Sequence, residues 1–500
     1  MLSAHRGGVS CGLARAAFGA ALALAIVAGL CAPEVVARTV ELTADIDRYI
    51  QAEMQLNSLP GVSAALVDSG GVIYLRSHGV RDVESGEPMT PETLVDLASV
   101  SKSMTALAVI QLEEQGLIGL DAPVRSYLPD FTLRGAEDSG EITVRHLLRH
   151  RSGLNRRSDR AMPCCGMPGS FDFGAIVPSL NGGPLASPVD RSFRYANSNY
   201  VLLAAIVERV SGVPFPDYMR ARVFEPLGMR RTTIDPRQGQ AWGLAGYHVW
   251  RWGQVVLSPP RFFGWYGASA VKSTPGDLAK YVAAMLDPAP QSAGRILRRE
   301  DLVSRTDGGF YDLGWFYEPH AEALDGAPLW RHAGDLWGSN AAIALAPERG
   351  IGAVVLINLG AHRAEEIAVG MLARDLGKDG PPAARSPFGA EPDNWAIVFA
   401  AGALAIFAGW ALYLARVWRQ FRRGERRFGL WWHPALRMRA VMFLAMAGFL
   451  SYYASTRLPP AMISFPTTIH TAIPMLTGAA ILVFLTNAVL TFAPRVRVRR

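Results

Sequence analysis

Lysine is what this chain has least of among its charged residues. Lysines and arginines together number 50, yet lysine stands only at positions 102, 272, 280 and 378. A sequence that gives nearly every cationic position to arginine has a chemical reason to keep one amine three residues after Ser99. Cysteine is as scarce, at four. Cys11 and Cys31 fall in the N-terminal leader, which leaves the adjacent pair Cys164-Cys165. Neighbouring alpha carbons are closer than a relaxed disulfide prefers, so a strained bridge and two free thiols both stay open. Internal repeats and low-complexity tracts are absent.

What the chain has in quantity is apolar sequence, 50% of 500 residues, and it is unevenly spread. Arg6 and Arg15 precede an apolar run from Ala16 to Ala32 and then Val35-Val36-Ala37, the grammar of a secretory signal cut after Ala37. An uncleaved anchor helix is the alternative; a lipoprotein site at Cys31 is disfavoured by Leu30. Three further apolar segments, Trp395–Val417, Ala440–Thr456 and Ala472–Ala493, approach the length that crosses a bilayer. Arginines crowd the loop after the first (416, 419, 422, 423, 426, 427, 437, 439) and the tail (495, 497, 499, 500), so both are expected to be cytoplasmic and residues before 395 exported. The net charge of +7 and pI near 9.3 come largely from these arginines. They point to membrane lipids with anionic headgroups as partners and do not imply nucleic acid.

The expected organisation is a signal peptide at 1–37, a globular domain at 38–376, a proline-bearing linker at 377–394 and three transmembrane helices with a basic loop and tail at 395–500. Within the globular part, Thr43–Leu56 has helical spacing, and Val62–Val67 and Val72–Leu75 flank the turn signal DSGG. Near the far end, Ala341–Leu345 and Ile351–Asn358 flank a turn, and a helical stretch from His362 to Leu376 follows. Strands at both ends with helical and loop sequence between predict one antiparallel sheet split by a large insertion.

Ser101–Gln115 is apolar around most of its circumference, as in a buried helix. Ser99 and Lys102 open it and share a face. A desolvated lysine loses its proton and can accept one from a serine hydroxyl, which arginine cannot; the helix start supplies donors for an oxyanion. Two later stretches add polar groups at element ends. RSFRYANSNYVLLAAIVERVSG places Tyr195 and Asn197 before a helix, and LWRHAGDLWGSNAAIALAPERG places His332-Ala333-Gly334 ahead of a strand. His146 and His150, four apart, could be drawn as metal ligands; the family resemblance given next makes them parts of a structural helix instead. Lys272 and Lys280 read as surface or pocket-rim cations.

In this order the three stretches, with ITVRHLLRHRSGL, VFEPLGMRRTTI and YDLGW, resemble the serine hydrolase family of class C β-lactamases, penicillin-binding-protein-like D-Ala-D-Ala carboxypeptidases and related esterases and peptidases, over about positions 45 to 375. The resemblance implies an α+β, β-lactamase/transpeptidase-like domain: an antiparallel sheet flanked by helices with a mostly helical insertion, followed here by the three-helix transmembrane region. It implies Ser99 as nucleophile, Lys102 as proton acceptor, Tyr195 as acid/base and Asn197 as a substrate-carbonyl contact. Substrate would also meet His332, Gly334 and Asp335, the backbone N–H groups of Ser99 and Asp335 forming the oxyanion hole. No metal or cofactor is implied, and the partner is a small-molecule or peptide substrate. His332 and Ala333 stand where family members carry Lys-Thr, which disfavours a β-lactamase and favours other amides or esters. The layout is also similar to membrane-bound prodrug-activating D-asparaginyl peptidases of the colibactin-maturing type, with Leu336 in place of their asparagine. The expected function is therefore an exported, membrane-anchored amide hydrolase. An esterase, a β-lactamase and an acylated receptor without turnover are the alternatives.

Overall fold

The computed structural model describes residues 37–133, 142–159, 161–162, 172–181, 183–251, 254–258, 265–289, 293, 297, 305–306, 309–336, 338–384, 390–424 and 481. The expected signal peptide up to residue 36, Cys164-Cys165, the second expected span and all of the third but residue 481 lie outside them.

Eight strands form one antiparallel sheet. β1 (Gly61–Asp68) and β2 (Gly71–Gly79) are the expected hairpin, closed at the DSGG turn where Asp68 Oδ1 accepts from the Gly70 N–H at 2.7 Å. Two short ladders outside the sheet come next in the chain: β3 (Val95–Asp96) pairs with β6 (Lys272–Ser273), and β4 (Tyr247–Arg251) with β5 (Gln254–Ser258). The rest of the main sheet is β7 (Arg305–Thr306), β8 (Gly309–Asp312), β9 (Trp315–Ala321), β10 (Ala327–Leu336), β11 (Ser339–Ala346) and β12 (Ile351–Ile357). Strand order is β2-β1-β12-β11-β10-β9-β8-β7, so the first strands of the domain complete the sheet begun by the last. That closure confirms the split antiparallel sheet.

Both faces of the sheet are covered. Helix α1 (37–57) and α7 (Ala364–Asp375) pack a core of Ile46, Ile50, Leu66, Val355, Ile367 and Met371 on one side. On the other lie α2 (Ser101–Glu114), α5 (Asn197–Ser211) and α6 (Pro275–Leu286), with the short α3 (Val144–Leu148) and α4 (Arg156–Asp159) beside α5. Every residue of β11 and β12 is therefore buried, which is why their sequences run apolar with no alternation.

The three-helix transmembrane region is corrected. Among the described residues no helix is long and apolar enough to cross a membrane. The first expected span falls within α8 (Ala390–Arg422), 33 residues of ample length. Arg416, Arg419 and Arg422 crowd its end.

Candidate active site

Ser99 sits in the 3-10 turn Ala98–Val100 that runs directly into α2. The turn is entered through Ala98 at φ 48°, a left-handed conformation rare for a residue with a side chain. α2 is polar where its first turns meet neighbouring backbone, and each polar group is matched. Ser101 Oγ accepts from the Val271 N–H (3.1 Å), Ser103 Oγ donates to Val100 O (2.9 Å) and Thr105 Oγ1 donates to Gly267 O (2.8 Å). Unmatched, such groups would make a buried helix costly.

Lys102 is wholly buried, with three oxygens around Nζ: Ser99 Oγ at 3.0 Å, Asn197 Oδ1 at 2.8 Å and Ala268 O at 2.9 Å. Burial pulls its pKa from 10.5 to about 7, against the opposing pull of Asp159. A neutral amine has two N–H donors and one lone pair. With Asn197 and Ala268 taking the donors, the lone pair is left for the Ser99 hydroxyl.

Asp159, at the end of α4, aligns the second stretch. Its carboxylate accepts from the N–H groups of Asn197 (3.0 Å) and Ser198 (2.8 Å) and from Asn197 Nδ2 (3.3 Å), capping α5 from outside its own chain segment. The Asn197 amide is thereby fixed with its oxygen toward Lys102. Tyr195, half-buried, stands beside Ser99, and its ring lies 4.9 Å from Lys102 Nζ. Burial raises the Tyr195 pKa, so the phenol stays protonated. Beneath it stacks His150, 4.3 Å between ring centres, fully buried and held neutral by that burial.

The third stretch closes the site from the sheet. Gly334 lies flat against the serine turn: a Cβ there would meet Leu97 O at 2.1 Å and Ser99 N at 2.9 Å. β10 pairs with β9 only as far as Arg331, so residues 332–336 present a strand edge on that side. His332 is buried on the same face as Gly334, its Nε2 3.3 Å from the Tyr311 hydroxyl and its ring 6.5 Å from that of Tyr195. Burial, reinforced by Lys102, holds its pKa down near 3, so it carries no charge at neutral pH. The Asp335 side chain points to the opposite face, leaving only its backbone at the site edge.

The structure thus brings Ser99, Lys102, Tyr195, Asn197 and Gly334 together, sets His332 behind Tyr311 and turns the Asp335 carboxylate away. Asp159, Ala268 and Tyr311 were missed, because a carboxylate in a short helix, a backbone carbonyl and a strand tyrosine carry no sequence signal. His146 and His150 do not form a metal pair: His146 Nδ1 accepts from the Thr143 N–H (3.1 Å) in the capping box of α3, and His150 Nδ1 meets Asn199 Nδ2 at 2.8 Å. Lys272 is not at a surface or rim. It is buried and paired with Asp96 at 2.9 Å, with the Tyr247 hydroxyl on the same carboxylate.

Protein flp of Staphylococcus aureus is 27% identical over 320 residues, 63% of this chain and 62% of its own length. Esterase EstB of Burkholderia gladioli is 36% identical over 199 residues, 38% of this chain and 50% of its own. The chain thus spans less than two thirds of these curated relatives. Among solved structures, the octameric penicillin-binding protein homologue from Pyrococcus abyssi superposes with a TM-score of 0.57 at 27% identity, covering 69% of this chain and 79% of that one. The profile of the Beta-lactamase family matches residues 46–377, the stretch that contains the whole of the site just described, and the chain belongs to that family.

Proposed function

We propose that the protein is a serine hydrolase that cleaves an amide through an acyl-Ser99 intermediate. One observation carries the reading: the buried Lys102 amine has both of its neutral-state donors occupied and its third contact 3.0 Å away at Ser99 Oγ. Above pH about 7 that lone pair accepts the hydroxyl proton as Oγ bonds to the substrate carbonyl carbon. The carbonyl oxygen becomes an oxyanion in reach of the N–H groups of Ser99, at the start of α2, and Asp335, on the free edge of β10. Tyr195, kept protonated by burial, donates to the leaving nitrogen as the C–N bond breaks and is reprotonated from Lys102. Water then adds to the acyl-enzyme by the same steps in reverse, releasing the acid and restoring Ser99.

The neutral His332 narrows the substrate. Where family members place a lysine, this chain offers no fixed charge, so a substrate defined by a free carboxylate gains nothing there. A D-residue next to the scissile bond is the finer part of this proposal, taken from the resemblance to D-Ala-D-Ala carboxypeptidases. The leader grammar of residues 1–37 supports action outside the cytoplasm. Ester hydrolysis is a second reading, favoured by the 36% identity to an esterase.

The test pairs an N-acyl-D-amino acid p-nitroanilide with the matching p-nitrophenyl ester. The expected result is a burst followed by steady turnover of the anilide, reduced by about 10³-fold or more in Ser99→Ala. Turnover of the ester alone assigns the second reading. One equivalent of product and no more would identify an acylated receptor and overturn both.

A further inference from the structure

We infer that His362 is a positioning residue for the oxyanion end of β10: by gripping the Asp335 carboxylate it fixes the Gly334–Asp335 peptide beside Ser99. The inference rests on the reading that this peptide binds the oxyanion.

The Gly334–Asp335 peptide has few supports. β9 no longer pairs with β10 here, so the strand is held by β11, through Gly334 opposite Ala341 and Asp335 opposite Asn340. The remaining grip comes from side chains on the face away from Ser99. Asn340 Nδ2 donates to Gly334 O (3.0 Å) and to Asp335 Oδ1 (2.8 Å), while its Oδ1 accepts from the N–H groups of Arg363 (2.9 Å), the N-cap of α7, and Ala364 (2.7 Å), its first residue. The second carboxylate oxygen, Asp335 Oδ2, is 3.0 Å from His362 Nδ1. One carboxylate therefore ties the oxyanion peptide to the start of a helix through an asparagine on one oxygen and a histidine on the other.

The backbone is strained to bring the imidazole there. His362 has φ 50°, a left-handed conformation that disfavours residues with a side chain. It persists because Arg363, the next residue, is locked to the buried Glu53 carboxylate of α1 by two bonds at 2.7 and 3.1 Å. Strain retained beside a functional strand is a marker of use.

The groups facing His362 are Asp335 from β10 and Glu366 from α7; Arg363 is its neighbour, Glu365 lies in the same helical turn, and Glu53 reaches Arg363 from α1. Burial lowers the imidazole pKa, but the bond and charge of Asp335 and the charge of Glu366 outweigh it, leaving it above 6.5. The sign follows. A raised pKa means the imidazolium-carboxylate grip is complete at lower pH and is lost as pH rises through that value. Activity then needs Lys102 neutral and His362 charged, which gives a bell-shaped profile.

The full chain is assayed against the p-nitroanilide from pH 5 to 9, and the Asp335 amide is followed by ¹⁵N NMR over the same range. In the native chain kcat should rise through about 7 with Lys102 and fall again on an alkaline limb, and the Asp335 amide should titrate along that limb. His362→Gln, which keeps a donor but cannot titrate, should abolish the limb and leave KM little changed, whereas His362→Ala should lower kcat by about tenfold on the acid side of that limb and match the native chain beyond it. An Asp335 amide that does not move with pH, or a His362→Gln profile that superimposes on the native one, overturns the inference. Failure of any anilide turnover that depends on Ser99 overturns the hydrolase reading instead, and the amide titration still decides whether His362 grips the peptide.

Discussion

Lys102 is where chemistry and burial meet at a single side chain. Its charge is expelled by the same packing that places Nζ on Ser99 Oγ, so proton acceptance depends on an amine that can be neutral. Lys102→Arg should therefore lower kcat/KM by about 10³-fold or more while folding persists, checked by turnover beside circular dichroism. The acid limb of the native pH profile should be centred near 7, because the fraction of neutral Lys102 grows as pH rises through that value. Gly334→Ala is a test of space. Its Cβ would meet a backbone carbonyl at 2.1 Å, so the serine turn or β10 must shift, and acylation should slow by about 10²-fold or more. The scarcity of lysine drew attention to position 102, whose Nζ lies 3.0 Å from Ser99 Oγ, while position 272 was misread, its amine consumed by a buried pair with Asp96. Rarity says that a residue is used, and the partner says for what.

At the scale of elements, α5 and α2 are registered by Asp159, which caps the one and orients the contact of Asn197 with the other. Asp159→Asn keeps the shape but removes an anion that favours charged Lys102. The acid limb of the rate should move to lower pH, and the weaker cap should cost about 1 kcal/mol, read by urea denaturation. Elements with local signals were legible. The hairpin turn at 68–71, the all-round apolarity of α2 and the β11–turn–β12–α7 succession all follow from residues close in the chain. The edge of β10 was not, since a strand's missing partner is a property of its neighbour.

For the molecule as a whole, the buried pair of Glu53 and Arg363 ties the first helix to the last helix of the sheet domain across more than three hundred residues of chain. Arg363→Met leaves the Glu53 carboxylate buried without its cation and should destabilise the fold by about 3–5 kcal/mol, measured by thermal and urea unfolding. By itself the sequence determined the helix that Ser99 and Lys102 open, the strands at both ends and the family, because apolar patterning, turn chemistry and the spacing of those two residues are local. It overreached at residues 395–417, since no helix among the described residues is long and apolar enough to cross a membrane. Only the tertiary structure decided which oxygens surround Lys102, that His332 is buried and uncharged, and that the Asp335 carboxylate faces His362. Those are contacts between segments tens to hundreds of residues apart, and desolvation, which sets the charge of each group, exists only once those segments have packed.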